Sequence, residues 1–186
     1  STYQIVISGV GGQGVLFVTR LLAEAAILKG LPVFTSETHG MAQRGGTVIS
    51  YLKVGGFASP LIRPGRADGL IALKAESLAQ HGGYLKPDGW AAVNRCMPDK
   101  VPSPLNSVCL DADRLAREIG NPRSVNLIML GFTLSMAQRD SFDHAAIHCS
   151  LDDVTDAIKK KLKGKGHLLA SSLRALTAGA EGLATE

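Results

Sequence analysis

Cysteine is scarce in this sequence, and the scarcity excludes one class of redox protein. The 186 residues include three cysteines, Cys96, Cys109 and Cys149, and no two of them have Cys-x-x-Cys spacing. Iron–sulfur clusters need about four cysteine thiolates, so this chain cannot build a cluster alone. An odd number of cysteines without a recognisable signal peptide predicts reduced thiols and a cytoplasmic location.

Long apolar runs and a strong excess of one charge are also missing. The longest apolar segment, 125–137, is interrupted by polar residues. It is shorter than the roughly 20 residues that cross a bilayer, so it predicts a buried helix. The 20 Lys and Arg residues exceed the 16 Asp and Glu residues by only four, and the densest basic segment, 159–165, is typical of a helix C-terminus. We therefore expect neither a nucleic acid nor a membrane as a partner.

Short apolar segments alternate with longer helical ones along the chain. Strands are predicted at 3–8, 31–35, 47–54, 70–73, 90–94 and 107–110, with a further edge segment at 59–63. Helices are predicted at 15–29, 76–81, 113–119, 125–138, 151–162 and 167–183. This alternation predicts one α/β domain, 1–186, with three α/β/α layers and a mostly parallel sheet. The fold has a Rossmann-like start and a helical C-terminal third.

A glycine-rich turn, GVGGQG at 9–14, joins the first predicted strand to the first helix. It fits the G-x-G-x-x-G pattern, in which glycines allow a tight turn and a close approach to the backbone amides. The free amides at the start of the next helix, with the positive end of its dipole, attract a phosphate. We assign an anion cradle to five residues of the turn: Gly9, Gly11, Gly12, Gln13 and Gly14. Val15 and Leu16 stand where a P-loop has Lys and Ser or Thr, so the turn is not a P-loop.

Two other interpretations of this turn stay open. One is a tight connection that binds nothing. The other is a self-sufficient nicotinamide or flavin enzyme, which needs an acid about 20 residues further on to hold a ribose. Glu37 lies 23 residues after Gly14, which suits that spacing.

The segment SETHGMAQRGG, 36–46, is polar and without periodicity, so it predicts a loop after the second strand. Such loops lie at the carboxyl edge of a parallel sheet, where ligands bind. A guanidinium beside two glycines can hold one anion together with free amides, and an imidazole can move a proton near neutral pH. The candidate residues are Ser36, Glu37, His39, Arg44, Gly45 and Gly46. An ordinary polar surface loop is the alternative.

His144 and His148 are spaced i, i+4, which would put both imidazoles on one face of a helix. A metal site needs at least a third ligand, and none is assured here. We therefore expect ordinary packing or surface histidines, and no metal site in this chain.

These segments resemble the gamma-type subunits of 2-oxoacid:ferredoxin oxidoreductases, and among them most closely the beta subunit of the indolepyruvate type. The resemblance spans the whole chain. It rests on GVGGQG at 9–14, SETHGMAQRGG at 36–46 and NLIMLG at 126–131. Lys74 departs from the family pattern, which has an acid directly after the strand.

The resemblance implies an enzyme that oxidatively decarboxylates a 2-oxoacid, such as indolepyruvate or another aryl pyruvate, to acyl-CoA and passes the electrons to ferredoxin. It implies that the glycine turn holds the phosphates of coenzyme A. Thiamine diphosphate, Mg²⁺ and iron–sulfur clusters would belong to a larger partner subunit, because this chain has no Gly-Asp-Gly segment and no cysteine cluster. We expect the chain to be inactive alone and to reach ferredoxin through that partner.

Overall fold

The structure is a computed structural model, and it describes residues 1–39, 46–95, 106–139 and 147–182. The strands in these ranges are β1 (Tyr3–Val10), β2 (Val33–His39), β3 (Thr47–Val54), β4 (Ala67–Ala72), β5 (Leu85–Asn94) and β6 (Asn106–Leu110). The helices are α1 (Val15–Leu28), α2 (Glu76–His81), α3 (Ala112–Glu118), α4 (Val125–Gln138), α5 (Leu151–Lys161) and α6 (Gly166–Glu181). A turn of 3₁₀ helix, Gly82–Tyr84, follows α2.

The described strands form one sheet in the order β2-β3-β1-β4-β5-β6. The pairs β1–β4, β4–β5 and β5–β6 are parallel, whereas β3 is antiparallel to both β1 and β2. Every described strand except β3 therefore points the same way, which confirms the predicted α/β fold with a mostly parallel sheet. As a result, the carboxyl ends of β1, β4, β5 and β6 lie side by side at one edge.

Alternate residues of the strands pack into two apolar clusters, one on each face of the sheet. Ile5 and Ile7 of β1 belong to the larger cluster, beneath α1 and α4. Val6, between them, belongs to the smaller cluster, which includes Leu78 of α2. Helices therefore cover both faces of the sheet, as predicted, but the two helical layers differ in size. The helical C-terminal third belongs to the larger layer, on the face of Ile5 and Ile7.

Helix α4 is buried on all sides, from Val125 to Met136, because it lies between the sheet and α6. Gly131 and Gly179 allow the backbones of the two helices to touch. A Cβ at Gly131 would meet the carbonyl oxygen of Leu176, and one at Gly179 would meet that of Ile128. Among the described residues, no helix is both long enough and apolar enough to span a bilayer.

Several local predictions are wrong in detail. Strand β2 continues to His39 because its residues pair with β3 over its full length, so the predicted loop begins later than Ser36. Residues 59–63 form no strand. Strand β5 begins at Leu85, five residues before the predicted strand at 90–94, and its register with β4 shifts in this added segment.

Other differences concern a helix cap and the cysteines. A serine directly before a predicted helix favours an N-cap. Ser124 precedes α4, but its hydroxyl donates to the carbonyl oxygen of Asn121 over 2.6 Å instead of capping the helix. Cys149 is a free, buried thiol, whereas Cys109 is disulfide-bonded. The expectation of reduced thiols is therefore wrong for Cys109.

Candidate functional site

The glycine turn lies at the carboxyl edge of the sheet, between β1 and α1. Gly11 and Gly12 are exposed, whereas Gly9 is buried. Gly12 has φ +89° and Gly14, the N-cap of α1, has φ +76°. Both values lie in the left-handed region, where glycine alone is unstrained. The predicted turn is thus formed by the residues that the pattern requires.

Gln13 closes the turn with its own side chain. Its Oε1 accepts a hydrogen bond from the amide of Val10 at 2.9 Å. Its Nε2 donates to the carbonyl oxygen of Leu73, just beyond β4, at 3.1 Å. The backbone amide of Gln13 also donates to the carbonyl of Val10, at 3.1 Å. Gln13 therefore holds the turn and ties it to the neighbouring strand.

The amides that remain for an anion are those at the start of α1. The amide of Gly11 is already used, since it donates to the carbonyl of Gly46 at 3.0 Å. Helix geometry leaves the amides of Gly14 and Val15 without intrahelical acceptors. A Cβ built on Gly12 meets no atom of the described residues within 4 Å, so those residues leave open space beside the turn. This open space lies two residues before Gly14, the N-cap of α1.

Two of the predicted cradle glycines have a packing role. A Cβ at Gly9 would lie 2.7 Å from Oε1 of Gln13 and 3.2 Å from Cβ of Leu73. A Cβ at Gly14 would collide with the side-chain amide of Asn126 on α4. Gly9 and Gly14 therefore let the turn pack against its neighbours, while Gly11 and Gly12 face outward.

Asn94, at the end of β5, was missed by the sequence analysis. Its Nδ2 donates to the carbonyl of Leu73 at 3.1 Å and to a carboxylate oxygen of Asp113 at 3.0 Å. Its Oδ1 accepts from the amide of Ala112 at 3.0 Å. Asn94 is 2% exposed, so these bonds satisfy a buried polar group. The sequence feature that could have revealed it is a polar residue at the end of the apolar segment WAAVN, 90–94.

A second missed group lies on the other face of the sheet. The hydroxyl of Ser8, fully buried in β1, is 2.7 Å from Nδ1 of His81. Burial lowers the pKa of His81, which favours the neutral imidazole. Tyr84 is in ring contact with His81 and 2.8 Å, hydroxyl to hydroxyl, from Tyr51. Burial, and the hydrogen bond with Tyr84, raise the pKa of Tyr51 to about 12.

The second predicted binding segment is described only in part. Ser36 and Glu37 lie in β2, opposite Tyr51 and Ser50 of β3. His39 ends β2, whereas Arg44 and Gly45 lie outside the described residues. Among the described residues, a hydrogen bond from the amide of Gly11 to the carbonyl of Gly46 joins the two predicted binding segments.

The topology disfavours a dinucleotide enzyme that uses Glu37. Such an enzyme needs the acid at the end of the strand beside β1. Here β3 lies between β1 and β2. Glu37 is therefore two strand spacings, about 10 Å, from the strand that leads into the glycine turn.

The predicted histidine pair is described at His148 only, since His144 lies outside the described residues. Nε2 of His148 lies 2.9 Å from the carbonyl oxygen of Leu22, and the ring is 5% exposed. Within the described ranges, no group of three or more His, Cys, Asp or Glu residues could hold a metal ion. His148 is a packed core histidine.

The chain is similar to known proteins in both sequence and fold. A family profile described as pyruvate ferredoxin/flavodoxin oxidoreductase matches residues 4–182. Indolepyruvate oxidoreductase subunit IorB of Archaeoglobus fulgidus is 30% identical over an alignment of 195 positions, which covers 94% of this chain and 92% of that protein.

Solved structures share the fold. The keto/oxoacid ferredoxin oxidoreductase gamma subunit of Geobacter sulfurreducens has a TM-score of 0.73 at 24% identity, with 96% of each chain covered. The 2-oxoglutarate:ferredoxin oxidoreductase of Magnetococcus marinus, solved with 2-oxoglutarate, coenzyme A and succinyl-CoA bound, has a TM-score of 0.78 at 23% identity. It covers 96% of this chain, which spans 30% of that one. From the profile match and the full-length relative, the chain belongs to the pyruvate ferredoxin/flavodoxin oxidoreductase family.

Proposed function

We propose that this chain is the small subunit of an oxidoreductase that converts an aryl pyruvate, such as indolepyruvate, to acyl-CoA with ferredoxin as electron acceptor. The support is its likeness over nearly its full length to a protein named as a subunit of indolepyruvate oxidoreductase. The three cysteines cannot hold an iron–sulfur cluster. The clusters therefore belong to a larger subunit, through which electrons reach ferredoxin, and we assign thiamine diphosphate and Mg²⁺ to the same subunit. We also propose a cytoplasmic location, which rests on the likeness to the oxidoreductase subunit alone, because the disulfide at Cys109 removes the argument from reduced thiols.

Within that enzyme, the glycine turn holds phosphates of coenzyme A. The observation that carries this assignment is the open space at Gly12, next to the start of the 14-residue helix α1. Amides at a helix start and the positive end of the dipole suit a pyrophosphate. Gln13 keeps the turn in shape, and Gly9 and Gly14 allow it to pack. When bound, coenzyme A supplies the thiol that accepts the acyl group.

The second segment meets the glycine turn at one described residue, because Gly46 accepts a hydrogen bond from the amide of Gly11. We assign Arg44, Gly45 and Gly46 as a second anion contact or a docking surface for the larger subunit. Ser36, Glu37 and His39 belong to the same segment and are weaker candidates for it.

A pair of substitutions at Gly12 tests the cradle. Asn and Asp both tolerate the left-handed backbone better than other residues. Gly12→Asp adds a negative charge beside the bound phosphates, whereas Gly12→Asn adds the same bulk without charge. Calorimetric titration of the full chain and of the assembled enzyme should show coenzyme A bound at least about tenfold more weakly by Gly12→Asp than by Gly12→Asn. Equal affinities, or no binding by the unaltered chain and enzyme, would remove the assignment.

The subunit assignment has its own test. The chain should co-purify with a larger protein that contains iron and thiamine diphosphate, and the complex should reduce ferredoxin with indolepyruvate and coenzyme A. Turnover of a 2-oxoacid by the purified chain alone would overturn the proposal. Strong binding of NADH or NADPH, seen as a change in its fluorescence, would favour the dinucleotide alternative.

A further inference from the structure

A groove of about 670 Å³ lies beside the glycine turn, on the helical side of the molecule. Its walls come from α1, from the connection between α3 and α4, and from the starts of α4 and α6. Asn126 lines the groove, and its Nδ2 lies 3.5 Å from the carbonyl oxygen of Gly14. The groove has the volume of sites that bind small organic ligands. The groove is therefore a candidate ligand site in its own right.

The charged residues that line this groove are all basic. Arg123 and Arg174 line it together with His167, and no Asp or Glu is among the described residues of its lining. Both arginines are exposed. The ion pairs seen in the described parts of the chain involve neither of them. Two guanidinium groups without a carboxylate partner are suited to a bidentate anion such as phosphate.

The rest of the lining is apolar or donates hydrogen bonds. Phe17 of α1 is half-buried there, and Leu168 of α6 is 49% exposed, as one of the few large apolar side chains on the surface of the described chain. At the α4 end, the hydroxyl of Ser124 is directed to the carbonyl of Asn121 and does not cap the helix. The amide of Leu127 donates to Oδ1 of Asn126 at 2.9 Å, which leaves the amides of Val125 and Asn126 as the free donors of the first turn. An apolar surface beside free donors and guanidinium groups fits an anion with an organic body.

We propose that this groove binds the phosphorylated end of a nucleotide-sized organic anion. Arg123 and Arg174 hold the phosphate, and the flat body of the ligand lies against Phe17 and Leu168. The inference does not rest on the coenzyme A cradle, because it uses none of the residues of the glycine turn. A free nucleotide and the nucleotide end of coenzyme A both offer this chemistry. Because Asn126 both lines the groove and contacts Gly14, coenzyme A bound in the groove would lie close to the glycine turn.

Binding of adenosine 3′,5′-bisphosphate to the full chain tests the proposal. Calorimetry should show binding that weakens as salt is added, because the arginines are exposed. Arg123→Gln and Arg174→Gln should each weaken it by about tenfold or more. Arg123→Lys keeps the charge without the bidentate fork. Its affinity for the bisphosphate should lie between those of the unaltered chain and Arg123→Gln. Arg20→Gln, an exposed site on α1 outside the groove, is the matched control and should bind like the unaltered chain.

Two further measurements identify the source of the ligand and the reason for binding. Adenosine without phosphate should bind much more weakly than the bisphosphate, since the phosphate contacts are lost. If coenzyme A displaces the bisphosphate, the groove holds the nucleotide end of coenzyme A. If both bind at once, the groove is a separate nucleotide site. Either result supports the groove.

The proposal is overturned if the bisphosphate does not bind, or if Arg123→Gln and Arg174→Gln bind it like the Arg20→Gln control while circular dichroism shows that all are folded. Failure of the coenzyme A cradle would look different. Gly12→Asp would then leave coenzyme A binding unchanged while the arginine variants still weakened the bisphosphate.

Discussion

The side-chain amide of Gln13 donates a hydrogen bond to the carbonyl oxygen of Leu73 over 3.1 Å, across 60 residues of sequence. The same oxygen accepts from the side-chain amide of Asn94, also at 3.1 Å. One carbonyl thus joins the ends of β1, β4 and β5. A carbonyl oxygen has two lone pairs, so both bonds can form at once. The carboxyl edge of the sheet, where the glycine turn lies, is fixed by side-chain amides.

Two substitutions of Gln13 should therefore lower the free energy of unfolding, and by different amounts. Gln13→Ala removes the acceptor of the Val10 amide, while Leu73 keeps Asn94 as a partner, so we expect a loss of about 1–2 kcal/mol. Gln13→Glu should cost more at pH 7, because a carboxylate oxygen would face the carbonyl oxygen of Leu73. Urea unfolding followed by circular dichroism measures both.

An exposed glutamine provides the control for this prediction. Gln80→Ala on α2 should change the free energy of unfolding by less than about 0.5 kcal/mol. If Gln13→Glu were as stable as the unaltered chain, the amide of Gln13 would not hold the turn as described.

The glycine turn could be predicted because its cause is local. Gly12 and Gly14 have positive φ, and only glycine adopts that conformation without strain. The capping box of α5 is equally local, because Ser150 and Asp153, three residues apart, bond to each other's amides. These features depend on residues within a few positions of one another.

The rest of the site depends on contacts between distant residues. The insertion of β3 between β1 and β2 pairs Gly9 with Val48, and no local pattern specifies that choice of neighbour. For the same reason the sequence placed Glu37 in a loop near the turn, when cross-strand pairing extends β2 through it. The bond from Gln13 to Leu73 spans 60 residues and has no sequence signal either.

The contact between α4 and α6 yields a second prediction. Gly131→Ala and Gly179→Ala would each bring a methyl group against a backbone carbonyl of the other helix. Backbone cannot move aside as a side chain can, so we expect each to cost at least about 3 kcal/mol or to prevent folding. Gly166→Ala, at the start of α6 with no atom within 4 Å, is the matched control. It should be neutral or stabilising by up to about 1 kcal/mol, because alanine favours the helix. Thermal unfolding measures all three variants. If Gly131→Ala or Gly179→Ala were as stable as Gly166→Ala, the close packing of α4 against α6 would be contradicted.

The capping box at the start of α5 should show energetic coupling. The amide of Asp153 donates to Oγ of Ser150 at 3.2 Å, and the amide of Ser150 donates to a carboxylate oxygen of Asp153 at 2.7 Å. Lys29 adds a salt bridge to that carboxylate at 3.2 Å. Ser150→Ala should cost about 1 kcal/mol. Combined with Asp153→Ala, it should cost less than the sum of the two single changes, because both bonds belong to one motif.

Asp152→Ala is the matched control for the cap, since Asp152 is an exposed acid in the same turn. It should cost no more than about 0.5 kcal/mol. Urea unfolding of the four variants gives the comparison, and strict additivity of Ser150→Ala and Asp153→Ala would show that the reciprocal bonds contribute nothing.

The last prediction concerns acid stability and His148. Burial lowers the pKa of His148 in the folded chain, and the charge of Lys29 adds to the effect. Protonation would place a proton on Nδ1, which is buried and finds no hydrogen-bond partner in the described structure. The unfolded chain, with an ordinary histidine pKa of about 6.5, binds this proton more readily. The free energy of unfolding should therefore fall as the pH drops below about 6.5, by at most about 1.4 kcal/mol per pH unit for this group.

Urea unfolding between pH 7.5 and 5 measures that slope. His148→Gln should lower stability at pH 7.5 but flatten the dependence below pH 6.5, because it removes the group that takes up the proton on unfolding. His81→Gln should flatten it less, since His81 is only half-buried. His167→Gln, an exposed site on α6, should leave the slope unchanged. An equal slope in His148→Gln and His167→Gln would mean that the acid sensitivity of the fold arises elsewhere than in the core histidine beneath α1.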